Sequence, residues 1–285
     1  MLITLLLVSL GYNFSLGPHF RLSKYITILK KDELDKQKEL LLKNIPKDAA
    51  VVATFEFLPR LSHRKELYSF HHLYIGFHTL SNQPYNLPDT VKYALLDFND
   101  TLTFRGFYRS DRYENIRRFL TNSNWGVSDV KDTIVLFQKD IKNRYLLYDL
   151  LLTEPQPTNK VSLIIDKDIE LLGYDLKKEK DNSLHITFYW HSLNKIQKDF
   201  NVFFDFIDDK GKFIYRILRP ICYRIYPTQA WQPGQFIREE RYFILPSDLQ
   251  VTLSLLKMGF FDYGTGELCQ TNSKDPLGRI DIYVN

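Results

Sequence analysis

Four histidines lie close together in the sequence, between His63 and His78, and Asp97 follows downstream. Imidazole and carboxylate groups are ligands of zinc, so this stretch could supply a metal site. Zinc-binding sequences, however, place their ligands at a tighter spacing, such as two histidines on one helical face. We therefore expect surface or helix-capping histidines here, and we predict no metal site.

The sequence LSHRKE places His63 and Arg64 at the predicted end of a short helix. Cations are favoured at the carboxyl end of a helix by its dipole, so simple capping explains both side chains. The alternative is that His63 and Arg64 bind an anionic group at the edge of the sheet. This second interpretation predicts that Arg64→Ala weakens binding and leaves folding nearly intact.

Two aspartates, Asp97 and Asp100, follow the apolar run VKYALLDF, which is predicted to be a buried strand. Ligand-binding groups of α/β proteins lie beyond the carboxyl ends of such strands. Aspartates that close an Asx turn occur at the same place. Asp97 is therefore a candidate binding residue. The sequence has no G-x-S-x-G motif, which would mark a nucleophilic serine, and no catalytic residue is predicted.

The turn after the predicted strand AAVVAT carries Phe55, Glu56 and Phe57 where a nucleotide-binding turn would carry glycines. A Rossmann phosphate site needs those glycines because the backbone must approach the pyrophosphate closely. No Walker-type loop occurs elsewhere in the sequence. We therefore predict no cofactor, and we expect the apolar side chains of this turn to hold the following helix on the sheet.

Trp231 lies in the sequence YPTQAWQPG, beside a predicted turn at Pro233 and Gly234. An exposed indole at this position could stack on a sugar ring, which makes Trp231 a candidate glycan-binding residue. The alternative is a buried tryptophan that anchors a loop over the sheet, because large aromatic side chains are ordinarily buried.

The elements that position these residues fall into two groups, separated by the sequence TEPQPTN, from Thr153 to Asn159. Its two prolines cannot continue a helix or a strand. Before it, apolar strands and helices indicate a small α/β domain with a mixed sheet over residues 21–152. After it, strands such as LHITFYWHS alternate in polarity and are separated by turn sequences. This pattern predicts an antiparallel, jelly-roll-like β-sandwich over residues 160–285, so the fold class is α+β.

Composition and charge exclude some classes of protein. The chain of 285 residues is long enough for two domains, and its formal charge of +4 comes without a dense lysine and arginine face. Nucleic acid is therefore not expected as a partner. Cys222 and Cys269 share no short metal-ligand spacing; they could pair in an exported protein or remain buried thiols.

The first residues of the chain, MLITLLLVSL, are strongly apolar. The run is shorter than the roughly 20 residues of a membrane-spanning helix, and no positive charge precedes it as in a signal peptide. It is either an N-terminal core element or tail, or the last part of a transmembrane helix. We treat residues 1–20 as an apolar membrane-proximal segment.

Several motifs together resemble a known family. IPKDAAVVAT, LPRLSHRKELYSF and YALLDF resemble the extracytoplasmic region of bacterial and archaeal polytopic predicted membrane proteins of unknown function. Their membrane part is similar to that of GT-C type glycosyltransferases, which use lipid-linked sugars. LHITFYWHSL, YPTQAWQPGQFIREERYFILP and MGFFDYGTGELC resemble the β-sandwich at the end of related membrane proteins.

The resemblance implies a function and also shows departures. It implies a non-catalytic extracytoplasmic, membrane-associated module that binds a glycan, a lipid-linked sugar or a membrane-protein partner. The expected catalytic acid of such glycosyltransferases belongs to an early membrane loop, so no catalytic residue carries over. Glu239 and Glu240 stand where the sandwich pattern often has aspartate, and YSFHH replaces an aromatic-proline ending. The alternative is a stand-alone cytoplasmic enzyme with a site at the sheet edge, formed by His63 and Asp97.

Overall fold

The computed structural model describes residues 33–81, 83–104, 112–122, 124–179, 183–245 and 253–284. The fold is α+β: a mixed sheet with short helices is followed by two antiparallel sheets that pack as a β-sandwich. This confirms the predicted fold class. The predicted membrane-proximal segment, residues 1–20, lies outside the described residues.

The first half of the chain forms a five-stranded mixed sheet in the order β2-β1-β3-β5-β4. Strand β1 pairs in parallel with β2 and β3, whereas β3, β5 and β4 pair antiparallel. The strands are β1 (Ala50–Ala53), β2 (Leu67–Ser69), β3 (Val91–Asp97), β4 (Trp125–Lys131) and β5 (Ile134–Lys139). The helices are α1 (Glu33–Lys43), α2 (Leu58–Leu61), α3 (Phe70–Ile75), α4 (Thr101–Phe104) and α5 (Tyr113–Asn122).

Both faces of the mixed sheet are covered, which explains its continuous apolar strands. Alternate residues of a strand point to opposite faces, so Val51 and Val52 of β1 enter different cores. Val51 packs with residues of α1 and α2, including Leu41 and Leu61. Val52 packs with residues of α3 and α5. Phe57 is fully buried in the first of these cores, where a nucleotide-binding turn would need bare backbone.

The second half of the chain forms the β-sandwich. One sheet has the order β6-β12-β9-β8-β7 and the other β11-β10-β13-β14, and all pairs are antiparallel. The strands are β6 (Tyr148–Leu151), β7 (Asn159–Ile165), β8 (Ile169–Lys178), β9 (Leu184–Ser192), β10 (Phe200–Asp208), β11 (Phe213–Pro220), β12 (Phe236–Phe243), β13 (Leu253–Asp262) and β14 (Ile280–Tyr283). Ile186, Phe188 and Trp190 of β9 enter the core between the sheets, as their alternation predicts.

Strand β6 precedes the predicted linker, yet it belongs to a sandwich sheet because it pairs with β12. Residues 152–158, between β6 and β7, form neither helix nor strand. The chain therefore enters the sandwich at β6, before TEPQPTN. The segment TEPQPTN connects β6 to β7, which belong to the same sandwich sheet.

The two halves of the chain share a buried junction. Three consecutive residues after β11, Cys222, Tyr223 and Arg224, have positive φ angles of 47°, 55° and 58°. This conformation is costly for residues other than glycine, so the surrounding contacts must impose it. The ring of Tyr223 enters the core of the mixed sheet and contacts Phe98 at 5.9 Å between centroids, and its hydroxyl donates to Glu240 O at 3.0 Å.

Cys222 and Cys269 are both buried free thiols. Burial raises the pKa of each thiol, and that of Cys269 reaches about 12, so both remain protonated at neutral pH. Within the described ranges, the helices are too short or too polar to cross a bilayer.

Candidate functional site

Asp97 lies at the carboxyl end of β3 and is 8% exposed. Its Oδ1 accepts hydrogen bonds from Thr133 Oγ1 at 2.7 Å and from the backbone N–H of Asn99 at 2.8 Å. Burial and a hydrogen bond with the Glu56 carboxyl group raise the pKa of Asp97 to about 7. Asp97 therefore holds a proton at a pH where an ordinary aspartate is ionised.

Glu56 follows β1 and is the partner of Asp97 in a carboxyl pair. Burial opposes ionisation of Glu56, but its hydrogen bonds with Asp97 and Lys38 lower its pKa below the ordinary value. Lys38 of α1 donates to Glu56 Oε1. The pair thus holds one proton on Asp97 and one negative charge on Glu56, which Lys38 balances.

Asp100 organises the turn between β3 and α4. Its Oδ1 accepts from the N–H of Leu102 at 2.9 Å, and its Oδ2 accepts from Thr103 Oγ1 at 2.8 Å and from the N–H of Glu56 at 3.2 Å. These bonds satisfy backbone donors at the start of a helix and in the turn after β1. Asp100 therefore fits the Asx-turn alternative given above.

His63 and Arg64 lie in different environments in the structure. His63 is exposed on the turn after α2, whereas Arg64 is partly buried against the loop that joins α1 to β1. The Arg64 guanidinium donates to the carbonyl oxygens of Ile45, Lys47 and Ala49 at 3.0–3.1 Å and also to that of Pro46. Burial lowers the pKa of Arg64. Its contacts are those of a residue that fixes a loop.

The other histidines are held by local contacts. His71 is buried with its Nδ1 3.0 Å from Thr103 O, and His72 Nε2 lies 2.7 Å from Thr79 Oγ1. The rings of His72 and His78 pack on Tyr85. In the part of the chain that the structure describes, no three histidine, cysteine or acidic side chains are placed to bind a metal.

A cleft of about 350 Å³ opens beyond the carboxyl end of β3, against the outer face of the four-stranded sandwich sheet. Phe204 and Phe206 of β10 lie in the sandwich core, so the alternating residue Asn201 faces the cleft. The wall from the mixed sheet and the wall from the sandwich carry polar and aromatic side chains: Asn99, Thr101, Asn201, Arg216, Phe261 and Tyr263.

Two arginines of the cleft lining, Arg216 and Arg224, form ion pairs with aspartates. Arg216 donates from Nε and Nη2 to Asp205 at 2.6 and 2.9 Å. Arg224 Nη1 lies 3.4 Å from Asp199 Oδ2, and its guanidinium carbon lies 4.3 Å from the centre of the Tyr263 ring. Such fork-like pairs and cation–π contacts reduce side-chain freedom before a ligand arrives.

Trp231 is 1% exposed, and its Nε1 donates to Tyr226 O at 3.1 Å. Its ring packs on Trp190 and Tyr226. The structure therefore shows the buried loop anchor, and the proposed role of Trp231 in stacking on a sugar is corrected because neither face of the indole is open.

None of the sequence-predicted site residues lines the cleft: Asp97 directly precedes Phe98 and Asn99, which do line it. His63 is exposed, and Arg64 and Trp231 are held in other contacts. The cleft residues that sequence reasoning missed belong to β10, β11 and β13 and to the segments that follow β3, β11 and β13. Strand pairing brings some of them together: Asn201 lies opposite Phe261, and Arg216 lies opposite Asp205. Arg216, a charged residue inside the apolar run FIYRIL, is the one signal that could have pointed here.

The chain matches no family model, no curated protein and no solved structure in the three comparisons.

Proposed function

We propose that this chain is a non-catalytic extracytoplasmic module that binds a glycan in the cleft between the mixed sheet and the sandwich. The observation that carries this proposal is the composition of the cleft. Amide, hydroxyl and guanidinium groups stand beside two aromatic side chains, Phe261 and Tyr263, which are only partly buried. Sugars offer hydroxyl groups to the former and apolar ring faces to the latter.

The position of the cleft also supports binding. Ligand sites occur beyond the carboxyl ends of strands in α/β sheets and between domains, and this cleft has both properties. Arg216 and Arg224 are already held by Asp205 and Asp199, so little side-chain entropy is lost when a ligand binds.

The membrane association proposed here rests on the resemblance described above and on the apolar sequence of residues 1–20. In this proposal the glycan is one that a membrane protein of the GT-C type presents outside the cytoplasm, as a lipid-linked sugar or as its product. A neighbouring reading frame that encodes several membrane spans would agree with this assignment, and a neighbourhood of cytoplasmic enzymes alone would contradict it.

Calorimetric titration with a panel of soluble neutral and acidic oligosaccharides tests the binding proposal. Tyr263→Ala is expected to lower the affinity for a bound oligosaccharide roughly tenfold or more, because one stacked aromatic ring contributes about 1–3 kcal/mol. Tyr283→Ala is the matched control, since Tyr283 is 61% exposed on β14 and does not line the cleft. Equal losses in both variants would contradict the cleft as the site.

The second candidate function is an enzyme with a site at the sheet edge. One observation favours it: the Glu56–Asp97 pair holds a proton with a pKa near neutrality, as a general acid requires. His63, the other residue of that hypothesis, is exposed after α2, and neither His63 nor Asp97 lines the cleft. Glycoside hydrolysis of a bound oligosaccharide that Asp97→Asn abolishes would favour the enzyme over the binding module.

A further inference from the structure

A second cavity, of about 250 Å³, lies under α5, away from the glycan cleft. Its walls come from β4 and β5 of the mixed sheet, from the segment that leads into β6, and from the junction after β11. The wall includes apolar side chains and also polar ones, such as Arg117, Thr121 and Asn143; the apolar ones are Leu120, Trp125, Val127, Phe137, Leu147 and Ile225. A cavity with this mixed lining suits a small ligand that has both an apolar and a polar part.

The indole of Trp125 in this wall has an unused hydrogen-bond donor. Trp125 is 9% exposed and packs on Phe119 at 5.0 Å between ring centroids. Its Nε1 is buried and finds no acceptor among the described residues. The two other tryptophans of the chain do donate: Trp190 Nε1 to Glu239 at 3.0 Å and Trp231 Nε1 to Tyr226 O at 3.1 Å. A buried indole N–H normally has a partner, so an acceptor is missing at Trp125, one of the residues that line this cavity.

A cation stands at the rim of the same cavity. Arg117 of α5 lines it, and its side chain is 41% exposed. Its ion pair with Glu114, at 3.2 Å, is a solvent-exposed pair within one helix, and such pairs contribute little. The guanidinium also lies 5.4 Å from the centre of the Tyr226 ring, a cation–π contact that restricts its position. Arg117 is therefore placed to attract an anion.

From these observations we propose that the cavity binds a small amphipathic carboxylate. The apolar body of the ligand, about the size of a phenyl ring with a short chain, occupies the space under α5. Its carboxylate offers acceptor oxygens to Trp125 Nε1 and a negative charge to Arg117. This site is independent of the glycan cleft and shares none of its lining residues.

Nuclear magnetic resonance of the indole N–H groups tests this proposal with internal controls. The chain has three tryptophans, so three indole signals are expected, and the signal that disappears in Trp125→Phe belongs to Trp125. The probe is 4-phenylbutyrate, and 4-phenylbutan-1-ol is the neutral counterpart. We expect 4-phenylbutyrate to shift the Trp125 signal saturably and downfield, whereas the signals of Trp190 and Trp231 stay in place.

Two neighbouring arginines provide matched variants. Arg117 lines this cavity, and Arg118 lines a different cavity, of about 390 Å³, that also borders Trp125. Arg117→Met is expected to weaken 4-phenylbutyrate binding roughly tenfold and to leave binding of the alcohol unchanged, because only the charged hydrogen bond is lost. Arg118→Met should leave both affinities unchanged.

Three results would overturn the proposal. The first is the absence of any saturable shift of the Trp125 signal at millimolar 4-phenylbutyrate, which would leave solvent water as the acceptor. The second is equal binding of acid and alcohol. The third is an equal effect of Arg117→Met and Arg118→Met. Thermal unfolding of each variant, followed by circular dichroism, establishes that it is folded before titration.

Discussion

Asp132, in the turn between β4 and β5, forms a buried ion pair with Arg219 at the end of β11. Arg219 Nε donates to Asp132 Oδ1 at 2.8 Å, and its Nη2 donates to Oδ2. Both side chains are less than 10% exposed. The pair therefore joins the mixed sheet to the sandwich beside the cleft. We expect it to fix the position of the two halves relative to each other.

Asp132→Asn is expected to lower the free energy of unfolding by about 3–5 kcal/mol, because it leaves the buried guanidinium of Arg219 without its counter-charge. Urea denaturation measures the change. Asp140→Asn is the control, since Asp140 also has a positive φ angle but forms only an exposed pair with Lys92 at 3.8 Å. Its effect should stay below about 1 kcal/mol. Similar losses for both variants would show that the buried pair contributes no more to stability than an exposed one.

Arg64→Ala is expected to destabilise the fold by about 1–3 kcal/mol, since it removes the donor to the carbonyl oxygens of the loop before β1. This differs from the expectation from sequence, in which the variant folds normally. Arg60→Ala is the control because Arg60 makes exposed ion pairs with Asp35 and Glu39. An unchanged melting temperature for Arg64→Ala would show that Arg64 does not stabilise the loop, and Arg64 would again be a candidate ligand-binding residue.

The Asp97 carboxyl group should make stability fall with rising pH. Its pKa is about 7 in the folded chain and about 4 in the unfolded chain, so between these values only the folded state holds the proton. Each increase in pH across this range therefore favours unfolding, and above about pH 7 the loss is complete. Asp97→Asn should lack this contribution, so its stability relative to the wild type should rise from pH 5 to about pH 8. Parallel stability curves would contradict the raised pKa.

Gly259→Ala should disturb the ring that supports Arg216, a residue of the cleft lining. A Cβ atom at Gly259 would lie 2.2 Å from the ring of Phe203, on which the guanidinium of Arg216 rests at 4.1 Å from the ring centre. We expect a loss of about 1–3 kcal/mol from overpacking, together with weaker oligosaccharide binding. Gly264→Ala is the control, since its nearest neighbour would be the Asp262 side chain at 3.5 Å. A Gly259→Ala protein with wild-type stability and affinity would contradict this account.

Local patterns predicted most of the fold. The alternation of Ile186, Phe188 and Trp190 specifies which face of β9 is buried, and the apolar run of β3 specifies a strand covered on both faces. The helix α3 (Phe70–Ile75) was missed because its aromatic residues also favour a strand, and packing against α5 decides the outcome.

The candidate site was harder to predict, for a physical reason. Asp97 could be named because a buried strand ends at it. Asn201 and Tyr263 could not, because strand pairing and the junction after β11 bring them to the cleft, and neither leaves a local pattern. Arg216 is marked only by its charge within an apolar run. Trp231 carried a strong sequence signal, but that signal reports core packing.

Hydrogen–deuterium exchange with and without a bound oligosaccharide shows whether the glycan occupies this cleft. Binding there should slow exchange in peptides that cover residues 98–101, 216–220 and 259–263, which contribute the cleft walls. Peptides around Trp231 and along β14 should exchange as in the free protein. Protection that is confined to the Trp231 loop or to the exposed edge strands, or no protection at saturating oligosaccharide, would contradict binding in this cleft.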